Sequence, residues 1–258
     1  MDKSLIDLLF MSQKRKDLLL LLKEGGKTIE EITENLNVKS TGMLPQIKKL
    51  KEEHLILQEN REYQLTPLAE ILVEKMEPLL NTLEVIEKNP YYWQERDLSD
   101  LPLPFLGRLN ELKSCSVIRP DPNSIFEPSA IFLENMKKSK NILSFSSIFH
   151  PIFPEIFLKN EDEGVEITLI ITKKIYERLE IDFGKELKFY LAMKKNRLFV
   201  CSDETKIAML IKTDRFMTAD FFTSKGSFDQ EALMGFELAP MKWAEDLILY
   251  YKDKAQEI

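Results

Sequence analysis

KSTGMLPQIKKLK, residues 39–51, holds four lysines and no acid in thirteen positions. Ser40 or Thr41 can cap a helix here, because a short side-chain oxygen accepts from the free amides of a first turn. On that helix Leu44, Ile47, Leu50 and Lys51 stack along one side, while Gly42, Pro45, Gln46 and Lys49 point to the other. Pro45 fits a first helical turn, where its missing N–H is not needed, which sets the start at about Thr41.

The flanks read as short, well-punctuated elements. Upstream, Ser12 caps a helix through Lys23, and Gly25-Gly26 supplies a left-handed stop. Thr28 followed by Glu31 is a capping box, with Ile29, Ile32, Thr33 and Leu36 on one helical face and Asn37 as terminator. Downstream, Leu55–Gln58 and Tyr63–Leu65 alternate apolar with polar around a turn of Glu59, Asn60, Arg61 and Glu62. Thr66-Pro67 opens a further helix that runs to about Glu87 through Leu68, Ile71, Leu72, Met76, Leu79, Leu80 and Leu83.

Three short helices, a hairpin and a long helix in that order make a winged helix-turn-helix, the arrangement that lays one helix in the major groove of double-stranded DNA. The third helix then presents Thr41, Gly42, Gln46 and Lys49 to bases, with Ser40 at its start. Gln pairs with an adenine edge, Lys reaches guanine or phosphate, and Gly lets the backbone come close. Lys39 and Lys48 neutralise phosphates, and Arg61 at the hairpin tip enters the minor groove or clamps a phosphate. Each of these residues also has a plain reading as part of a solvated face.

The net charge of −7 sits downstream of this region, since residues 1–66 hold 11 Lys and Arg against 11 Asp and Glu. The longest apolar run, Leu18–Leu22, is far too short for a membrane span. Asp2 and Asp7 interrupt the apolar start and Lys14–Lys16 follow it, the reverse of a secretion signal, so the expected location is cytoplasmic. Cys115 and Cys201 are too few for a disulfide framework and read as free buried thiols.

Asn89–Leu103, with Pro90, Pro102 and the aromatic run Tyr91-Tyr92-Trp93, reads as an irregular joint that must bury three rings. The expected domains are a winged helix over 1–66, a helical linker and joint over 67–103, and an effector domain over 104–258. In the last, Asn141–Ser147, Val165–Thr172, Leu187–Met193, Arg197–Cys201 and Lys206–Ile211 read as strands. Ser129–Lys138, Pro154–Asn160, Lys173–Leu179 and Ala239–Lys254 read as helices, and Asp203-Glu204 as the turn of an antiparallel hairpin. The fold class is α+β: a winged helix followed by a mixed α/β layer domain.

Ligands favour the carboxyl ends of strands in such sheets. Ser144, Ser146, Ser147 and His150, at the end of the 141–147 strand, therefore offer a candidate site for a small polar or anionic effector, beside the plain reading of strand-end and turn residues. Leu79, Leu80 and Leu83 on the post-wing helix, or Trp243, Leu247, Leu249 and Tyr250 on the last helix, either pack internally or join two subunits of a homodimer.

VKSTGMLPQIKKLKEEHLI followed by LQENREYQLTPLAEIL resembles the ArsR-like winged-helix regulators. NPYYWQERDLSDLPLPFLGRL and ILSFSSIFHPIFPEIF resemble two-domain archaeal regulators related to the methanogenesis and filament-formation regulatory protein, so the similarity covers nearly the whole chain. The resemblance implies an archaeal transcription factor whose second domain is a distant, non-catalytic relative of the phospholipase-D-like fold. That chemistry needs His, Lys and Asp in the spacing HxKxxxxD, which neither His54 nor His150 provides. The chain has no GxGxxG, no GKS or GKT phosphate loop, no CxxC and no HExxH, so no enzyme activity, cofactor or metal is expected, and His54 reads as a packing residue. A regulator that binds DNA and senses a small molecule or partner is the expected function. The alternative is an acidic winged-helix adaptor that docks proteins without binding DNA.

Overall fold

The computed structural model describes residues 4–121, 127–158, 164–202 and 205–258. They fall into two units, one ending at Leu80 and one from Asn81 to Ile258, so residues 67–103 contribute to both.

The first unit comprises α1 (Leu5–Phe10), α2 (Gln13–Leu22), α3 (Ile29–Asn35), α4 (Ser40–Glu52), β1 (Ile56–Glu59), β2 (Glu62–Leu65) and the start of α5 (Pro67–Lys88). α1 has no counterpart in the sequence reading; the Ser4 hydroxyl caps it by accepting from the Ile6 amide, and it buries Leu8 and Leu9. Ser12 does occupy the N-cap of α2, but its hydroxyl makes no capping bond and its carbonyl takes the Arg15 and Lys16 amides instead, at 3.1 Å each. At α3 the capping box forms: the Thr28 amide donates to Glu31 Oε2 at 2.7 Å, and the Glu31 amide to Thr28 Oγ1 at 3.3 Å.

Two helix ends use non-glycine residues in the left-handed region. Asn37 (φ 50°) ends α3, with the Val38 amide reaching back to the Thr33 carbonyl at 3.0 Å. His54 (φ 54°) ends α4 in the same way, with Leu55 N–H on the Leu50 carbonyl at 2.9 Å. His54 is therefore an exposed helix terminator and not the packing residue its sequence position suggested.

The hairpin is tighter than the expected four-residue turn. Glu59 pairs with Glu62, leaving Asn60 and Arg61, both at positive φ, as a two-residue loop whose twist matches that of the strands. Lys27 extends the wing, exchanging two backbone hydrogen bonds with Tyr63 at 3.1 and 2.8 Å. Thr66 then opens α5, its hydroxyl accepting from the Ala69 amide and donating to the His54 carbonyl. The core of this unit is built from Leu18, Leu19, Ile32, Met43, Ile47 and Leu50, closed by Tyr63 and Val73.

The second unit carries one eight-stranded mixed sheet in the order β10-β6-β5-β4-β7-β8-β9-β3. Its elements are α6 (Pro90–Glu95), α7 (Leu103–Leu106), β3 (Ser116–Ile118), α8 (Ala130–Lys138), β4 (Asn141–Ser146), β5 (Glu166–Thr172), α9 (Lys173–Asp182), α10 (Gly184–Ala192), β6 (Arg197–Cys201), β7 (Ile207–Thr213), β8 (Met217–Phe221), β9 (Ala232–Gly235), α11 (Leu238–Lys252) and β10 (Gln256–Glu257). β4, β5 and β6 are parallel, as connections through helical segments require.

Several expectations are corrected. Residues 187–193 lie mostly in helix α10, because Leu187 and Tyr190 are buried at a spacing of three and the Tyr190 hydroxyl donates to the Ile167 or Arg197 carbonyl. β6 and β7 do not form a hairpin: β6 lies between β5 and β10, and β7 pairs with β4 and β8. The Asp203-Glu204 turn lies outside the described residues, as does the end of the 154–160 helix, of which Pro154–Leu158 forms one wide π-helical turn. The proposed joint contains helix α6, and only two of its three aromatic rings are buried, Tyr91 being 81% exposed.

One face of the sheet packs Phe145, Leu210, Ala219 and Phe221 against Trp243 and Leu247, so α11 is an internal layer of its own unit. The other face carries Ile142, Leu169, Ile211 and Met234 beneath α8, α9 and α10. Cys115 is buried, its thiol pushed up to about 12 by that burial, whereas Cys201 is only half-buried.

Candidate nucleic-acid interface and ligand pocket

The position of Met43 fixes the rotation of α4. Met43, Ile47 and Leu50 are buried, spaced four and three apart, so the inner face keeps Ile47 and Leu50 but takes Met43 in place of Leu44 and Lys51. This is a rotation of roughly half a residue, about 45° at 100° per residue, from the phase built on Leu44. Leu44 is 45% exposed, and Lys51 faces solvent with its Nζ donating to Gln58 Oε1 at 3.1 Å. The outer face is therefore Thr41, Leu44, Pro45 and Lys48, with Ser40 at its start.

Gln46 and Gly42 are drawn inward. The Arg15 guanidinium, itself buried, donates to Gln46 Oε1 at 2.9 Å and to the Leu8 and Asp7 carbonyls at the end of α1. Gly42 is half-buried, and a Cβ there would lie 3.0 Å from Lys14 Nζ. Lys49 is half-buried, Lys48 sits 3.8 Å from Glu52, and Lys39 is the exposed N-cap. Pro45 stands sixth in α4, not in its first turn, so the Thr41 carbonyl lacks the amide donor that residue 45 would ordinarily give it. Arg61 is exposed at the wing tip between Glu59 and Glu62.

In the second unit a pocket of about 780 Å³, open mouth included, lies over β7, β8 and β9. Phe132, Phe153, Ile156 and Phe157 form its apolar wall. Its floor carries Thr218 and Asp220, each 4% exposed, on the face of β8 opposite Met217, Ala219 and Phe221. Asp220 Oδ2 and Thr218 Oγ1 have no hydrogen-bond partner among the described residues. Burial pushes the Asp220 carboxyl up to about 8; the Asp229 carboxylate adds to the rise and the Arg96 guanidinium opposes it. Arg96 is held by Asp229 through a bidentate pair at 2.7 and 2.5 Å, and Arg119 at the rim binds Glu231 at 3.0 Å.

Of the four effector candidates only His150 lines this pocket, half-buried and held below its ordinary pKa by burial, which a hydrogen bond to Gln230 partly offsets. Ser144 and Ser146 sit on the same sheet face, in register across β7 with Thr218 and Asp220 respectively. Ser146 donates to the Ile148 carbonyl, and Ser147 to the Ile207 carbonyl beside a β-bulge, so both are spent on backbone. The Thr218–Asp220 pair escaped the sequence reading because β8 itself was not recognised. Its signal was Phe-Met-Thr-Ala-Asp-Phe-Phe, residues 216–222, polar at alternate positions of an apolar run. Among the described residues no three His, Cys, Asp or Glu side chains converge as metal ligands, and no helix is long and apolar enough to cross a membrane.

A relative from Methanothrix harundinacea (strain 6Ac), the methanogenesis regulatory protein FilR1, is 26% identical over 256 residues, covering 96% of this chain. The chain spans 56% of that relative's length. Among solved structures, the archaeal chromatin protein TrmBL2 aligns at a TM-score of 0.44 with 14% identity, over 98% of this chain and 97% of that one. Nuc, a phospholipase D family member from Salmonella typhimurium, aligns at 0.37 with 16% identity, over 56% of this chain and 98% of its own. Both likenesses are distant. Residues 3–84 match the family description "Methanogenesis regulatory protein FilR1, N-terminal domain", and residues 125–254 match its middle domain. With both units matched in chain order, the chain belongs to the FilR1 methanogenesis regulatory family, a family of regulators and not of enzymes.

Proposed function

We propose that this chain is a sequence-specific DNA-binding transcription regulator, acting in the cytoplasm, whose second unit senses a small molecule. The observation that carries the reading is the outer face of α4, where Thr41, Leu44, Pro45 and Lys48 stand clear of the core. Thr41 reaches base edges or phosphate, Leu44 and Pro45 fit thymine methyl groups, and Lys48 with Lys39 neutralises phosphates. Arg61 follows the adjacent backbone or minor groove from the wing. Lys49, Ser40 and Gly42 border this face, whereas Gln46 serves it indirectly through Arg15.

The regulator is read as a homodimer because the outer side of α5 leaves Leu68, Ile71, Leu79, Leu83 and Ile86 exposed, a stripe at helical spacing. Two copies would bring two reading helices to two half-sites. Fluorescence anisotropy of the full chain on its own upstream DNA, against a scrambled duplex and across a salt series, tests the reading: preference for the native duplex with a steep salt slope is expected. The exposed Leu44 and balanced charge also suit a protein-docking adaptor, which predicts no DNA binding at any salt.

A further inference from the structure

We propose that the pocket over β8 binds a small organic cation, a primary amine on a compact apolar body, with its ammonium held between Asp220 and Thr218. This rests on the reading of the second unit as a sensor and names the chemistry it senses.

The pocket floor is chemically unfinished. A buried polar group without a hydrogen-bond partner costs free energy, and in a native structure it calls for an explanation, an absent ligand or ion being one. Asp220 Oδ2 and Thr218 Oγ1 are two such groups on one face, two residues apart on the strand, so their Cα atoms stand about 6–7 Å apart, a spacing suited to one nitrogen placed between the two side chains. An ammonium offers three donors, and its bonds to an ionised carboxylate are short and strong.

The surrounding charges select the sign. Arg96 is bonded to Asp229 and Arg119 to Glu231, and neither guanidinium pairs directly with Asp220, on which Arg96 acts only through its field. Glu127 adds a further carboxylate at the lining. An anionic ligand would meet Glu127 at the lining and keep Asp220 in its neutral form, whereas a cation stabilises the ionised Asp220. Phe132, Phe153 and Phe157 supply the wall for an apolar body. His150 and Gln230 complete the polar side of the lining.

The burial of Asp220 agrees with this. A carboxyl pushed up to about 8 is largely protonated at neutral pH in the empty pocket, and an arriving ammonium favours the ionised form.

The test is calorimetry and thermal shift on the full chain with two matched probe series: phenethylamine, phenethyl alcohol and hydrocinnamate; hexylamine, hexanol and hexanoate. At millimolar concentration the amine of at least one series should bind about tenfold tighter than its alcohol and its acid. Asp220→Asn, which keeps the shape, should remove that preference; Thr218→Val should weaken amine binding severalfold and serves in its place should Asp220→Asn not fold. Equal or tighter binding of the alcohol or acid, absence of amine binding in both series, or an amine preference that survives both variants overturns the proposal. DNA affinity is measured separately with and without bound amine. An Asp220-dependent amine that leaves DNA affinity unchanged upholds the ligand class and rejects the sensor role, whereas hydrocinnamate or hexanoate binding that shifts DNA affinity does the reverse.

Discussion

The Arg15 guanidinium holds the Gln46 amide oxygen at 2.9 Å and ties α4 to the end of α1. This contact turns the most base-like reader on the helix into a positioning residue. Gln46→Ala should therefore cost stability, about 1–2 kcal/mol for a charged donor left unpaired, as read by urea denaturation. Lys48→Ala should leave stability unchanged, weaken binding to all duplexes alike, and lower the salt slope by about 0.9. A large stability loss from Lys48→Ala, or none from Gln46→Ala, would reverse the two assignments.

The start of α3 depends on the reciprocal bonds of Thr28 and Glu31. Thr28→Ala should destabilise the chain by about 1 kcal/mol, measured as a lower denaturant midpoint at constant slope. Both bonds from Thr28 hold the Glu31 carboxyl below its ordinary value of 4.5. A depressed acid stabilises the fold above its unfolded pKa and loses that contribution as pH falls through the folded one, so the effect of Thr28→Ala should shrink below pH 4.5.

Gly235 on β9 is packed too closely to accept a side chain. A Cβ there would lie 2.6 Å from the buried Cys115 sulfur and 3.0 Å from the Pro240 ring. Gly235→Ala should cost about 1–3 kcal/mol by overpacking. Adding Cys115→Ala should recover part of that loss in a double-mutant cycle; strict additivity would place the strain elsewhere.

Asp220 should give stability an unusual pH dependence. Its folded pKa, about 8, stands above the ordinary 3.8, so the folded state binds the proton more tightly. The stabilisation is complete below the unfolded value and is lost as pH rises towards the folded one, at up to about 1.4 kcal/mol per pH unit. Between those values the unliganded chain should lose stability with rising pH relative to Asp220→Asn. Parallel curves for the two proteins would show that the carboxylate is paired in solution.

The exposed stripe on α5 predicts the oligomer. Leu79→Lys with Leu83→Lys should halve the mass seen in sedimentation equilibrium without lowering helical content, because both side chains are about half exposed in the single chain. An unchanged mass would exclude this stripe as the contact.

Local chemistry made much of the first unit legible. The Thr28–Glu31 box, the Asn37 stop and the Thr66-Pro67 start each depend on bonds within a few residues, which the sequence encodes almost directly. The parallel pairing of β4 with β5 was legible for a related reason, since strands separated by helical segments favour parallel pairing. β6, by contrast, read as one arm of a hairpin with β7 and instead joins the parallel set beside β5. Residues 187–193 misled because Leu-Lys-Phe-Tyr-Leu-Ala-Met satisfies both periods over so short a run, and burial at 187 and 190 decided for helix.

The sequence was enough to place most elements of a winged helix, the caps of α3 and α5 and a mixed sheet after them, but not the cap of α4, which is Lys39 and not Ser40 or Thr41. Only the tertiary structure decided the phase of α4, because Met43 and Leu44 are equally apolar and the choice was made by Arg15 and the core beneath. It alone decided that Thr218 and Asp220 share a pocket floor with His150, since strand neighbours are chosen by contacts dozens of residues apart that no local pattern records.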